Sequence, residues 1–354
     1  IEAAHLMIAE PVSVHGEDNG NWLSNYRKNL RDLLKDRQFN DMENILFEEV
    51  EFLPEPLAVF NFYRYGFRHP NLAGQEKYCV LVLDVGGGTS DCSVIETTRA
   101  GEISKGGKNS RPFGASSETI GGHYVNYMLA SHLLQTHTSA NRNTLQRALK
   151  RQFSFLRGKS ASNNFTEDDW SLHTNLQWVL HYIESTKKEL TNYINSHVDG
   201  WKRYDPPTKE VFIQLPEDPF SPDSNWYEYP LSTEDLRQVI EEKIWKAHLR
   251  PLILRTLSNA EESLAGKQVN RVILSGGTAN IGWIGHWIET DLPELAGAGV
   301  IDIKADYQEV VAQGLAIECA RRFFSEDHVS DFQSVTYNPL SLRLGVAGEA
   351  PKPY

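Results

Sequence analysis

The sequence predicts an α/β fold, and three observations carry the prediction. Short apolar runs of strand length alternate with amphipathic stretches of helical period. Two of those runs end in glycine-rich turns, Gly86-Gly87-Gly88 and Gly276-Gly277. No short repeat runs through the chain, so a solenoid or propeller is not expected.

The elements follow in order. His5–Ser13 reads as a strand that ends at Pro11, and Trp22–Asp36 as a helix with Leu23, Tyr26, Leu30, Leu33 and Leu34 in period. Glu49–Leu53 is a short strand, after which Pro54-Glu55-Pro56 opens a helix through Tyr65, because proline suits a first helical turn. Tyr78–Leu83 and Cys92–Ile95 are strands joined by the triple-glycine turn. Thr119-Ile120-Gly121-Gly122 leads a helix with Val125, Met128, Leu129 and Leu133 on one face, and residues 135–175 read as polar, with helices and loops. A helix around Leu176–Ile194 buries Leu176, Val179, Ile183, Leu190 and Ile194. The Pro-, Asp- and Tyr-rich stretch Asp199–Pro230 holds one clear strand, Val211–Leu215. Ser232 with Asp235 has the spacing of a capping box and opens a helix that Pro251 is expected to interrupt. Strands near Val269–Leu274 and Val300–Lys304 flank a helix at Ile281–Glu289, and Tyr307–Phe324 is the last helix.

Composition excludes several classes. The 354 residues are 40% apolar and 23% charged, which suits compact lobes and argues against wholesale disorder. A net charge of −12 argues against nucleic acid as a partner. The basic run Arg142, Arg147, Lys150, Arg151, Arg157 and Lys159 reads as a solvated helix face. Cys79, Cys92 and Cys319 have no metal-ligand spacing and read as buried thiols of a reducing, cytoplasmic protein. No run is long enough to span a membrane, and neither an HExxH nor a GxSxG motif occurs. Gly101–Gly107 with Lys108 departs from the P-loop pattern and reads as a hairpin tip.

The chemistry concentrates at Asp84-Val85-Gly86-Gly87-Gly88-Thr89-Ser90-Asp91. Glycines let backbone N–H groups approach an anion, Thr89 adds a hydroxyl, and Asp84 and Asp91 place carboxylates at the rim, a mixture suited to phosphate with a divalent metal. The rival is a glycine-rich hairpin that binds nothing. Leu274-Ser275-Gly276-Gly277-Thr278-Ala279-Asn280 is a second strand–glycine–helix turn, which suggests two loops gripping one nucleotide. On the helix around Leu176–Ile194, Glu184, Lys187, Lys188 and Thr191 form one polar stripe, which by spacing alone also reads as a solvated face.

This order of motifs, from about Pro11 to Leu344, resembles the nucleotide-binding domain of the DnaK-type (heat shock protein 70) chaperones, within the actin-like ATPase superfamily. Asp84–Ser93 is similar to that family's second phosphate motif and Leu274–Ile281 to its adenosine motif. Glu55 matches its catalytic glutamate before a helix ending in Tyr65-Gly66, and Gly121-Gly122 a nucleotide-contacting pair. Glu184–Thr191 resembles the segment holding adenine and ribose, Val311–Ala316 the closing helix, and Tyr337–Leu342 the segment past the interdomain linker.

The resemblance implies an actin-like ATPase (ribonuclease H-like) fold with two lobes around a nucleotide cleft, the first lobe incomplete. Residues 1–77 with the closing helix 306–324 would form that first lobe, and 78–130 with 267–305 the core of the second. Residues 131–266 would be an inserted helical and small-sheet subdomain, and 325–354 a linker-like tail. ATP or ADP with Mg2+ would be the ligand. Glu55, Asp84 and Thr89 would be catalytic, with Asp84 holding the metal through water. Gly86, Gly87, Gly88, Thr89, Gly121, Gly122, Glu184, Lys187, Lys188, Thr191, Gly276, Gly277 and Asn280 would contact nucleotide.

There are departures. No first phosphate loop or catalytic lysine is visible, so the chain is expected to be a piece cut at both ends that hydrolyses ATP weakly or not at all. Lys188 and Asn280 stand where the family flanks adenine with arginines, and Gln308 where it has an aspartate. Client peptides and co-chaperones would be partners through regions beyond this chain. A non-hydrolysing nucleotide-binding scaffold and an actin-like filament-forming ATPase are the alternatives.

Overall fold

In a computed structural model, residues 3–10, 12, 19–35, 46–66, 77–98, 111–156, 165–197, 208–302 and 309–323 are described. Gly101–Gly107 with Lys108, Arg157, Lys159, Gln308 and the tail containing Tyr337–Leu342 lie outside them. The chain is mixed α/β and divides into two compact units. The first comprises Ile1–Thr119, Leu252–Ala279 and Asp291–Tyr354; the second comprises Ile120–Pro251 and Asn280–Thr290.

The first unit is built on two sheets. Strands β1 (Ala3–Glu10) and β2 (Leu46–Pro54) pair in parallel, with helix α1 (Asn19–Lys35) between them in sequence. Arg27 on α1 holds the buried Glu10 carboxylate through two contacts of 2.6 and 2.5 Å, and the Tyr26 hydroxyl donates to the Ala9 carbonyl. Helix α2 (Glu55–Asn61) follows directly, with Pro56 in its first turn, and widens into a π turn at Phe62–Gly66. The larger sheet contains β3 (Lys77–Val85), β4 (Ser90–Thr98) and β5 (Arg111–Glu118).

The second unit begins with helices α3 (Gly122–His137), α4 (Arg142–Leu156) and α5 (Glu167–Ser196). On α4, Leu145, Ala148, Leu149 and Gln152 are buried, while Arg142, Arg147, Lys150 and Arg151 face solvent as the sequence suggests. Strands β6 (Glu210–Pro216) and β7 (Trp226–Ser232) form an antiparallel pair, so the stretch expected to hold one strand holds two. Prolines and aspartates in the connection mask β7, whose alternation is broken by Pro230. The Ser232–Asp235 capping box closes both ways and starts α6 (Thr233–Val239).

Pro251 does not interrupt the helix that follows. The turns Ile240–Leu249 take π geometry, and α7 (Arg250–Leu264) runs on through the proline. The Arg250 N–H reaches back to the Trp245 carbonyl, five residues away. Widening the turn ahead of a proline relieves the clash between its ring and the preceding carbonyls, so the helix need not stop.

From Leu252 onward α7 belongs to the first unit, as does strand β8 (Val269–Ser275); α8 (Gly282–Asp291) lies mainly in the second, and β9 (Gly299–Asp302) and α9 (Val310–Phe323) complete the first. The larger sheet has the order β5-β4-β3-β8-β9, with β3 antiparallel to β4, β4 to β5, and β8 parallel to both β3 and β9. Strand β5 escaped sequence reading because Gly114, Ser116 and Ser117 dilute its apolar pattern. On one sheet face Val80, Val82, Ile95, Ile273 and Ile301 pack with Val59, Phe60 and Tyr63 of the α2 segment and Val310 of α9. On β5 a Cβ at Gly114 would lie 2.8 Å from the Ala260 nitrogen of α7, so this glycine admits the helix backbone. Cys79 and Cys92 are buried thiols outside any disulfide, as expected, while Cys319 is partly exposed. No helix among the described residues is long and apolar enough to cross a membrane.

Helix α9 is held against α2 by one absent side chain. A Cβ on Gly314 would stand 1.9 Å from the Ala58 carbonyl oxygen, which is backbone and cannot rotate away. Gly314→Ala is expected to cost about 2–4 kcal/mol by forcing these helices apart, read as a lower urea midpoint with an unchanged slope. A midpoint equal to wild type would refute the close contact.

Candidate functional site

The site arises from strand register. Asp84, near the end of β3, is paired with Asp91 of β4 on one side and Ser275 of β8 on the other, and Asp91 pairs with Ser117 of β5. Residues in one row across a sheet share a face. Ser117, Asp91, Asp84 and Ser275 therefore form a polar rung across four strands. Two and four residues back along β3, Val82 and Val80 occupy the same face in the apolar core under α2. The rung is where the core gives way to polar groups, at the carboxyl ends of the parallel strands β3 and β8. Ligands of open α/β sheets bind at such strand ends.

All four residues are buried: Asp84 is 5%, Asp91 0%, Ser117 3% and Ser275 1% exposed. The two aspartates, expected at a rim, are interior groups. Asp91 Oδ1 accepts the Val12 N–H at 3.0 Å, whereas Asp91 Oδ2, Ser117 Oγ and Ser275 Oγ close no hydrogen bond. Glu55, the first residue of α2, faces both aspartates. Burial, then repulsion from Asp91 and Asp84, pushes its carboxyl up to about 7. Burial and Asp91 push Asp84 up to about 7, with Ser275 opposing. Asp91 is also raised by burial, although Ser117, the Val12 N–H and Thr89 favour its charge.

Two glycine turns border this rung. In the first, the Gly86 N–H donates to the Thr89 carbonyl at 2.9 Å and closes the β3–β4 hairpin, leaving Gly87 and Gly88 exposed. In the second, Gly276 has φ +88°, and a Cβ there would lie 2.3 Å from the Val85 carbonyl oxygen and 2.7 Å from Asp84 Oδ1. The Thr278 N–H donates to that same Val85 carbonyl at 3.2 Å, and the Thr278 hydroxyl reaches the Gly86 carbonyl at 3.5 Å. The structure thus brings Gly86–Thr89 and Gly276–Gly277 together, with Asp84 beneath both.

The glycines differ in what they answer to. Gly276 is required by the fold. Gly86, Gly88 and Gly277 have no positive φ, and a Cβ at Gly88 or Gly277 would meet nothing within 4 Å. Neither packing nor backbone conformation accounts for glycine at Gly88 or Gly277. Among the described residues no group of three His, Cys, Asp or Glu side chains is disposed to hold a metal ion directly.

The other predicted residues lie in the second unit. Gly121 precedes α3 and accepts the Tyr124 and Val125 N–H groups, and Gly121 and Gly122 are buried. On α5, Glu184 accepts from Asn126 Nδ2 at 2.6 Å, Lys187 Nζ at 2.7 Å and Lys188 Nζ at 3.1 Å. Lys187 Nζ also meets Asn126 Oδ1 at 2.7 Å and the Gly122 carbonyl at 3.4 Å. Burial raises the Glu184 pKa, but bonds from Lys187 and Asn126 overcome it and bring the carboxyl down to about 2. Burial lowers Lys187, with Glu184 opposing. Thr191 is buried, so the stripe is no uniform solvated face. Asn280 is clamped by Asn195, whose Nδ2 donates to the Asn280 carbonyl at 2.8 Å while its Oδ1 accepts the Gly282 N–H at 3.1 Å.

Sequence reading missed Ser117, Ser275, Asn126 and Asn195 as members of these clusters. Only register could have found the first two, and pairing of β5 and β8 is not visible in a single strand. Asn126 stands four residues after Gly122, so helical spacing alone signals it. No protein-family model matches this chain, and no curated protein matches it.

The acidic cluster sets a pH dependence. Asp84 binds its proton more tightly folded than unfolded, so its contribution to stability is full below about pH 4 and is lost as pH rises toward about 7. Asp84→Asn is expected to stabilise the ligand-free chain by roughly 1–3 kcal/mol at pH 8 and by little at pH 4, read by urea unfolding at both values. Equal effects at the two values would show that repulsion in the rung is not what strains the site.

Proposed function

We propose that this chain is a nucleotide-binding module of the DnaK-type chaperone kind, binding ATP or ADP with Mg2+, and that its mixed sheet is the core of an actin-like ATPase (ribonuclease H-like) fold. One observation carries the proposal. A buried rung of two aspartates and two serines lies beneath two adjoining glycine turns, each of which has a glycine that packing does not require. The order of the sheet, with β3 central, a hairpin to one side and parallel strands to the other, supports the fold.

The roles follow from position. Backbone N–H groups of Gly87 and Gly88 and the Thr89 hydroxyl would take phosphate oxygens, whereas the Gly86 N–H, expected to do the same, is already bonded to the Thr89 carbonyl. The three carboxylates fit a hydrated divalent cation, because their shared repulsion and the orphaned Asp91 Oδ2 both call for positive charge. Asp84 would hold one of its waters. A bound Mg2+ supplies charge that offsets developing negative charge on phosphate. Glu55, at the start of α2 beside Asp91 and Asp84, would orient the attacking water. Catalysis of this kind is mostly positioning and charge stabilisation. Ribose and adenine would fall to Glu184, Lys187, Lys188, Thr191, Gly121, Gly122, Gly277 and Asn280.

One observation favours the non-hydrolysing scaffold as a second reading. The ammonium of Lys187 meets Glu184, Asn126 and Gly122, and Asn280 is held by Asn195, so these groups offer nucleoside less than free arginines would.

The test exploits Gly88. Gly88→Val should leave stability within about 0.5 kcal/mol of wild type, since nothing opposes a Cβ there, yet abolish the thermal shift produced by ATP with Mg2+. A wild-type chain that ATP does not stabilise, or a variant that shifts equally, would overturn the proposal. In a form of the protein that hydrolyses ATP measurably, Asp84→Asn should lower the single-turnover rate at least about a hundredfold while changing ATP affinity only a fewfold. Equal rates would leave the scaffold reading in place.

A further inference from the structure

The large exposed apolar side chains are not scattered. Of the seven among the described residues, Leu156, Trp170, Trp178, Tyr182, Phe212 and Tyr227 are in the second unit, and three are on α5. Trp170 is 46%, Trp178 56% and Tyr182 36% exposed. Single exposed apolar residues need no explanation, but a row of them marks an interaction surface. These stand eight and then four residues apart, with Thr174 between the tryptophans, so they line one helix face over about three turns. The row is broadened at one end by Phe165, whose ring is 5.3 Å from Trp170, and at the other by Trp226, 6.4 Å from Tyr182.

Charge says what covers the face. From Trp170 to Ile183 the helix carries no Asp, Glu, Lys or Arg, in a chain of net charge −12. A second acidic copy therefore meets no like charge from this stretch of α5. The strip ends in opposite charges: Glu167, exposed, in the first turn, and Lys188, 65% exposed, beyond the other end. Both lie on the aromatic side of the helix by its period of about 3.6 residues. Laid antiparallel about a two-fold axis at Gln177 and Trp178, two copies of α5 bring Glu167 of each against Lys188 of the other. The same register seats each Trp178 between Thr174 and His181 of the second copy, the knob-in-hole contact of packed helices.

We propose that this chain associates with itself through the outer face of α5, as an antiparallel, two-fold symmetric dimer centred on Trp178. A self-complementary patch with opposite charges at its two ends is what such symmetry requires. One helix face is smaller than the roughly 800 Å² per partner of a tight complex, so association at micromolar concentration is expected. The proposal does not depend on nucleotide binding.

Sedimentation velocity over a concentration series tests it, with circular dichroism as the check on folding. Wild type should move from monomer to twice the monomer mass. Trp178→Glu should weaken association about thirtyfold or more, as loss of a central aromatic anchor does. Trp178→Gln, which adds no charge, should also weaken it, so that an effect confined to the charged variant would count against packing. Glu167→Lys or Lys188→Glu alone should weaken it, and the two together should restore it. A wild-type monomer at every concentration, a Trp178 variant that dimerises as before, or a double swap that fails to restore association would overturn the proposal.

Discussion

The first unit is organised around one electrostatic constraint: two aspartates paired directly across β3 and β4, both buried, with a third carboxylate at the start of α2. Like charges opposite one another on a sheet are unfavourable, and burial removes the water that would screen them. Nothing in the β-sheet itself needs this arrangement. Apolar residues at Asp84 and Asp91 would extend the core that Val80, Val82 and Ile95 already form. The neighbouring elements partly offset the cost, through the Val12 N–H on Asp91 and the Ser275 hydroxyl beside Asp84. They leave Asp91 Oδ2 without a hydrogen bond. The cost is borne in the raised proton affinity of Asp84, Asp91 and Glu55.

The glycines carry a parallel distinction between what the fold needs and what a ligand would need. Gly314 and Gly276 are fixed by close approach of backbone to backbone, and Gly276 also by its left-handed conformation. Gly88 and Gly277 satisfy neither condition. Sequence alone cannot separate the two kinds, since both read as glycine in a turn or helix. The contrast matters for interpretation: a Gly276 variant would disturb folding and site together, whereas a Gly88 variant isolates the site.

How much was legible follows the same physics. β3, β8 and the capping box at Ser232 were found nearly to their ends, whereas for β4 only the middle was legible and α5 begins at Glu167, well before the expected Leu176. The glycine turn, Asp84 and Glu55 were also legible, because turn chemistry is local. Reading failed where structure is set by distant residues. Strand β5 is a strand because β4 needs a neighbour, not because Ser116 and Ser117 favour one. The helix survives Pro251 because the turns before it widen, a cooperative adjustment that no residue-by-residue propensity contains. The burial of Asp84 and Asp91 depends on the register of four strands and on α2, so a carboxylate expected at a rim lies inside.

The polar cluster of the second unit poses the converse case. Glu184, Lys187, Asn126 and the Gly122 carbonyl satisfy one another, and Glu184 remains ionised well below neutral pH. Its net charge with Lys187 and Lys188 is positive by one, whereas the rung in the first unit is surplus in negative charge. A buried pair that is already satisfied resists reorganisation, because breaking it leaves a charge unpaired. Lys187 therefore acts more as a brace that fixes Glu184 and the start of α3 than as a free cation. Lys188, two-thirds exposed, is the member of the stripe with room to meet another molecule.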